Sequence, residues 1–148
     1  TMADLLHFAD RIVLPYKPRA VVIYEGDNDT GSYGVPPEQV INELNELTAM
    51  IHNVLPETRI SLISVKPSLA RTEYWDVAQE TNELYKEVAA GNDKIYYIDI
   101  ATPFLNTDGT VMDDIFVEDD LHLNDKGTQI WASTIKAALM ENNEMQYE

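Results

Sequence analysis

Two short stretches carry residue types at spacings that can do chemistry. The first is Asp119-Asp120-Leu121-His122, within the longer run that continues Leu123-Asn124-Asp125-Lys126-Gly127. A carboxylate three residues before an imidazole, on a loop ending where a helix begins, can accept a hydrogen bond from one ring nitrogen while the other faces a cleft. That is a base with its orienter, although a solvated acidic loop holding a histidine has the same composition. The second stretch, Gly26-Asp27-Asn28-Asp29, follows an apolar run that reads as a buried strand. It therefore sits on a strand-to-loop exit, where open α/β sheets place their ligands.

The elements that must position these residues follow from hydrophobic period and breakers. Thr1 to Asp4 fits a capping box, and Leu5, Leu6, Phe8, Ala9, Ile12 and Val13 continue at helical spacing until Pro15 and Pro18. A chain that opens on a helix cap, with Thr rather than Met at position 1, points to a preceding segment. Residues 20–24 are apolar and β-branched, which suits a strand covered on both faces. Residues 26–37, with Gly31, Gly34, Pro36 and Pro37, read as an irregular binding loop. A helix follows from Pro37 with Val40, Ile41, Leu44, Leu47 and Ile51 inward, then a strand over 59–65 stopped by Lys66-Pro67. Tyr74, Val77, Ala78, Thr81, Leu84, Tyr85 and Val88 form the stripe of the next helix, which reads as core packing. Residues 94–100 make a third strand, residues 106–109 a turn, and a last helix from about Asn124 turns Gly127, Ile130, Trp131, Ile135, Ala138 and Leu139 inward. Such alternation predicts a parallel sheet sandwiched by helices, with both chemical stretches past the C-terminal ends of strands on one rim.

Composition sets bounds. At 148 residues the chain reads as one domain, 1–148. Its 10 basic against 26 acidic side chains give a formal charge of −16, which repels phosphate backbones and argues against a nucleic-acid partner. Without cysteine there is no disulfide, thiol nucleophile or zinc-thiolate site. No run approaches the roughly 18 apolar residues of a membrane span. Asp113, Asp114, Glu118, Asp119 and Asp120 lack the spacing of a calcium loop, so no metal is expected, and no glycine-rich phosphate loop is present for a nucleotide.

Gly26, Asn28 and Asp29, together with Asp119, His122 and the run after it, resemble the SGNH, or GDSL, hydrolases, a family of esterases and lipases. The resemblance covers nearly the whole chain. It implies a flavodoxin-like three-layer α/β/α sandwich, a Ser-His-Asp mechanism, a small-molecule ester substrate and no cofactor. Carried over, His122 is the general base, Asp119 its orienting partner, Asn28 an oxyanion donor, and Gly26 with Asp29 the bracing of its loop. Asn28 and Asp29 are also compatible with plain loop bracing, Asp29 the more so. The family's Gly-Asp-Ser block occurs nowhere in the chain. The expectation is therefore that these residues are the C-terminal portion of the domain, with the serine and the first strand or strands upstream. An apolar sheet edge left open in this way invites oligomerisation or strand exchange. Ser32, Ser61 and Ser64 lack a nucleophile elbow, and His7 and His52 read as helix residues. Tyr33 and Trp75 are candidates for the substrate pocket. The alternative reading is a non-catalytic flavodoxin-like module that binds a ligand or partner.

Overall fold

The computed structural model describes residues 1–144. Thr1 caps α1 (Met2–Ile12) with a full capping box, its Oγ1 accepting from Asp4 N while the Asp4 carboxylate accepts from the Thr1 amino group. β1 (Ala20–Ile23) follows, then a short α2 (Asp27–Gly31), α3 (Pro37–Val54), β2 (Arg59–Ile63), α4 (Trp75–Ala90), β3 (Ile95–Ile98) and α5 (Asp125–Glu144). The three strands are parallel in the order β1-β2-β3, with Val21 opposite Ile60 and Ile63 opposite Ile98.

Strand alternation divides the core between the two sheet faces. On one face Ile23, Ile60, Leu62 and Ile95 pack with Met2 and Ala9 of α1, Val40, Leu44, Leu47 and Ile51 of α3, and Tyr85 of α4. On the other, Ile63 and Ile98 pack with Phe104, Ile115 and Phe116 and with Ile130, Trp131 and Ile135 of α5. Helices thus cover both faces, which makes the chain an α/β/α sandwich of flavodoxin-like type. None of the helices among the described residues is long and apolar enough to cross a membrane.

Three local expectations need correction. β1 is not covered on both faces: Ala20 is exposed and Val22 is 44% exposed, and no strand pairs with its outer edge among the described residues. On that face α5 packs with Ile63 of β2 and Ile98 of β3, and it meets the β1 side at Tyr24, just past the end of the strand. The segment after Gly26 is not irregular throughout, because Asp29 accepts from Gly26 N and Thr30 Oγ1 donates to Gly26 O, closing one helical turn as α2. Tyr74 is not in the core stripe either. It ends a 3-10 segment, Leu69–Tyr74, and stays exposed, while the buried stripe of α4 recruits a polar residue, Asn82.

Asn82 explains how β2 ends. Its Oδ1 accepts from Val65 N at 2.7 Å and its Nδ2 donates to Val65 O at 2.9 Å, so one carboxamide replaces the ladder partner that Val65 has lost. Substituting Asn82→Ala strands a buried donor and a buried acceptor. It is expected to cost about 2–4 kcal/mol in urea denaturation, and a loss within experimental error would show that water takes over both bonds.

Candidate active site

The exit of β1 is shaped by what only glycine can do. Gly26 has φ +104°, and a Cβ there would meet Val65 Cγ2 at 2.9 Å and Tyr85 Oη at 3.0 Å. Three residues on, Asp29 is 1% exposed, and its two oxygens accept from Met2 N at 2.9 Å and from Gly26 N at 3.1 Å. One carboxylate therefore ties the first turn of α1 to the start of α2. Asn28, between these fixed points, is left on the exposed side of α2.

The histidine loop is held as firmly. Ser64 Oγ accepts from Ile100 N and Ala101 N where the chain leaves β3. A bridge between Phe116 and Leu123 and the bond from Val117 N to His122 O at 2.8 Å close the loop, with Asp120 taking the left-handed conformation at φ +57°. Asn124 then caps α5: its Oδ1 accepts from Gly127 N and its Nδ2 donates to Asp114 O and Phe116 O. Gly127 permits the close approach, since a Cβ there would stand 2.4 Å from Ile115 O.

Within this loop His122 Nδ1 lies 2.6 Å from Asp119 Oδ2, while Asp119 Oδ1 accepts from His122 N at 2.8 Å and Leu121 N at 2.9 Å. The hydrogen bond from the His122 ring, followed by these two amides, holds the Asp119 carboxyl well below the usual carboxylate range. An ionised carboxylate can only accept, so Nδ1 carries the proton toward Asp119, and in the neutral imidazole the lone pair is on Nε2. The His122 side chain is 76% exposed, open to whatever binds beside it.

His122 and Asn28 meet at one cavity of about 520 Å³, lined also by Tyr24, Glu25, Asp27, Lys66, Arg71, Leu121, Leu123 and Trp131. Gly26, Asp29 and Asp119 are not among its lining residues. Tyr33 and Trp75 are set apart from it, Tyr33 at 72% exposed and Trp75 in a separate depression with Tyr97 and Asp99. His52 Nε2 lies 3.0 Å from Thr58 O and His7 packs edge-on against Phe8, both away from the cavity. Ser61 and Ser64 are buried, and Ser32 Oγ accepts from Arg71. No serine, threonine or cysteine is among the cavity's described lining residues.

Residue patterns had not singled out the floor of this cavity. Asp27 sits at its centre, accepting from Arg71 Nη1 and from Tyr24 Oη, with Lys66 Nζ at 3.5 Å. Lys66 is 8% exposed and donates to Leu121 O at 2.9 Å, the carbonyl just before His122. Burial lowers its pKa and the Asp27 charge opposes that shift. Burial, with Asp27 adding to it, raises the Tyr24 phenol well above its ordinary value. Lys66 and Arg71 lie past the end of β2, on the rim already chosen for β1 and β3. Applying the strand-exit rule to all three strands would have found them.

The arrangement supplies an oriented base and an amide side by side, with an aromatic wall in which Tyr24 meets Trp131 edge to face at 4.6 Å. Comparisons with known proteins bear on the fold and the family. The chain is 26% identical over 113 residues to the platelet-activating factor acetylhydrolase IB subunit alpha1 of Pongo abelii, covering 75% of this chain and 47% of that protein. The chain thus spans about half the length of the curated relatives it matches. Its fold is shared by a candidate platelet activating factor from Streptococcus pneumonia, with a TM-score of 0.79 and 23% identity over 93% of this chain and 67% of that one. A GDSL-like lipase from Bacteroides thetaiotaomicron shares it too, with a TM-score of 0.75 and 21% identity over 95% and 71% of the two chains. Residues 1–130 match the GDSL-like lipase/acylhydrolase family, and the chain belongs to that family.

Proposed function

We propose that residues 1–148 are the C-terminal portion of a serine esterase domain and supply its base and one oxyanion donor. The observation that carries this reading is the 2.6 Å contact from Asp119 Oδ2 to His122 Nδ1, which leaves Nε2 free at the cavity that Asn28 also lines. The nucleophile is a serine on a segment preceding Thr1. Two facts support that placement: no serine or threonine is among the cavity's described lining residues, and the chain spans about half of its curated relatives. The open edge of β1 offers the strand of that segment a place to pair.

In this mechanism the serine attacks the carbonyl of a small carboxylic ester. His122 Nε2 takes the hydroxyl proton as the new C–O bond forms, and Asp119 stabilises the imidazolium. Asn28 donates through Nδ2 to the oxyanion, with Gly26 and Asp29 holding its loop. His122 then returns the proton to the departing alcohol, and water, activated by the same base, releases the carboxylic acid. Tyr24, Leu123 and Trp131 give an uncharged acyl group an apolar wall. The mechanism needs no cofactor.

The absence of a serine from the described lining also favours a second reading, a ligand-binding module without turnover. Fluorophosphonate labelling of the longer protein that contains this chain separates the two. One adduct on a serine before Thr1, lost in His122→Ala, is expected. Full-length protein that takes no adduct and turns over no ester, yet binds ligand, supports the module instead, and an adduct on Ser32 would place the nucleophile within this chain. With p-nitrophenyl acetate, Asn28→Ala is expected to lower kcat by about 10²–10³ and His122→Ala by at least about 10⁴.

The Asp119–His122 pair also makes a pH prediction. Asp119 has a folded pKa below its unfolded value, so its contribution to stability is present above the unfolded carboxylate pKa of about 4. It is lost as pH falls toward the depressed folded value. Denaturation midpoints of wild type and Asp119→Asn are therefore expected to differ most above about pH 4 and to converge in acid. A gap independent of pH would mean that the carboxylate is not selectively stabilised in the folded state.

A further inference from the structure

Asn28 is exposed, and a carboxamide on a freely turning bond presents its oxygen as readily as its nitrogen. Only one of these orientations serves an oxyanion. The nitrogen stabilises developing negative charge, whereas the oxygen would set a lone pair against it. Something must therefore choose the orientation, and α2 has no residue placed to do so.

The geometry points to Arg71 as the positioning residue that turns the Asn28 carboxamide nitrogen toward the cavity. This inference rests on the esterase reading above for its catalytic consequence. Arg71 lies outside both family-like stretches, in the 3-10 segment after β2, and departs from helical geometry at φ −124°, ψ 28°. Its Nη2 donates to Asn28 Oδ1 at 2.9 Å and to Ser32 Oγ at 2.9 Å, while Nη1 donates to Asp27 O at 2.8 Å and to Asp27 Oδ1. A guanidinium has no acceptor, so the Asn28 atom that faces it is held as the oxygen and the nitrogen is turned away.

Two features keep the guanidinium in place. Asp27 takes both a charged and a backbone bond from Nη1, in a site where Arg71 is mostly buried. Gly31 makes room for the stem: a Cβ there would stand 2.6 Å from Arg71 Cδ and 3.1 Å from Nε. The φ of Gly31 is not in the left-handed region, so alanine there would act through this contact and not through backbone strain. Lysine at position 71 would keep the charge beside Asp27, but a single ammonium cannot reproduce the planar fork that spans Asp27, Asn28 and Ser32.

The test uses the full-length protein and two readouts. In a double-mutant cycle, Arg71→Met is expected to lower kcat by about 10- to 100-fold with KM changed less than about threefold, and to cost less than about threefold more in an Asn28→Ala background. In ¹⁵N-labelled protein, the Asn28 side-chain NH₂ signals are expected to be well ordered in wild type and to lose order in Arg71→Met and Arg71→Lys. Gly31→Ala removes no polar group and is expected to disturb the same signals. It carries the test where an Arg71 variant fails to fold.

Full multiplication of the Arg71 and Asn28 effects would overturn the inference, as would Asn28 signals that Arg71→Met leaves unchanged. A wild-type enzyme that hydrolyses no ester would instead refute the esterase reading, and the NH₂ signals would still decide whether Arg71 holds Asn28.

Discussion

The site depends first on the buried carboxylate of Asp29. A carboxyl taken out of water is tolerated only where polar partners replace its hydration, and here two backbone amides from separate parts of the chain, Met2 N and Gly26 N, donate to it. Moving either amide would leave one buried carboxyl oxygen without that donor. The first turn of α1, the sharp exit of β1 and the start of α2 are thereby one rigid object. Asn28 is carried on that object and inherits its precision, although its own side chain is exposed.

A second constraint joins this object to the histidine loop. Asp27 accepts from Arg71 and Tyr24 and stands beside Lys66, and Lys66 reaches across to Leu121 O. Two cations on one floor are unusual in a chain of charge −16. Each does structural work: Arg71 binds α2 and Lys66 holds the loop of His122. Burying either beside Asp27 strengthens the attraction between them, and it also makes the loss of one partner costly. Asn28 and His122 are therefore set relative to each other by a network at the exit of β2.

The imidazole is treated differently. Asp119 and His122 are both substantially exposed, and their loop is ordered by its own backbone bonds and by the Asn124 cap of α5 more than by burial. The exposure leaves the imidazole accessible from the cavity it lines. Orientation comes from the three hydrogen bonds that Asp119 accepts, which specify the ring tautomer without sealing the ring from solvent. The bare Val22 face and open edge of β1 stand in contrast to this economy, since apolar strand surface is otherwise covered in sheets of this kind.

What the amino-acid sequence determined by itself was local. Apolar, β-branched runs and stripes of period 3.6 placed three parallel strands and the main helices. The spacing from Asp119 to His122 and the glycine before Asn28-Asp29 marked two exits of the same sheet, because hydrogen-bond reach over three residues and left-handed backbone at glycine are properties of short segments. What only the tertiary structure decided was how segments far apart in the chain meet. Arg71 reaches across more than forty positions to Asn28, Lys66 reaches further to Leu121, and Asn82 finishes β2 from inside a helix whose stripe looked apolar. Tyr33 and Trp75, chosen as aromatics near the right loops, are not among the residues that line the cavity, whereas Trp131 reaches it from α5. Proximity in sequence says nothing about which face of a loop a side chain takes. That choice is made by packing and by the pairing of buried charge, and both are settled only when the whole sheet and its helices come together.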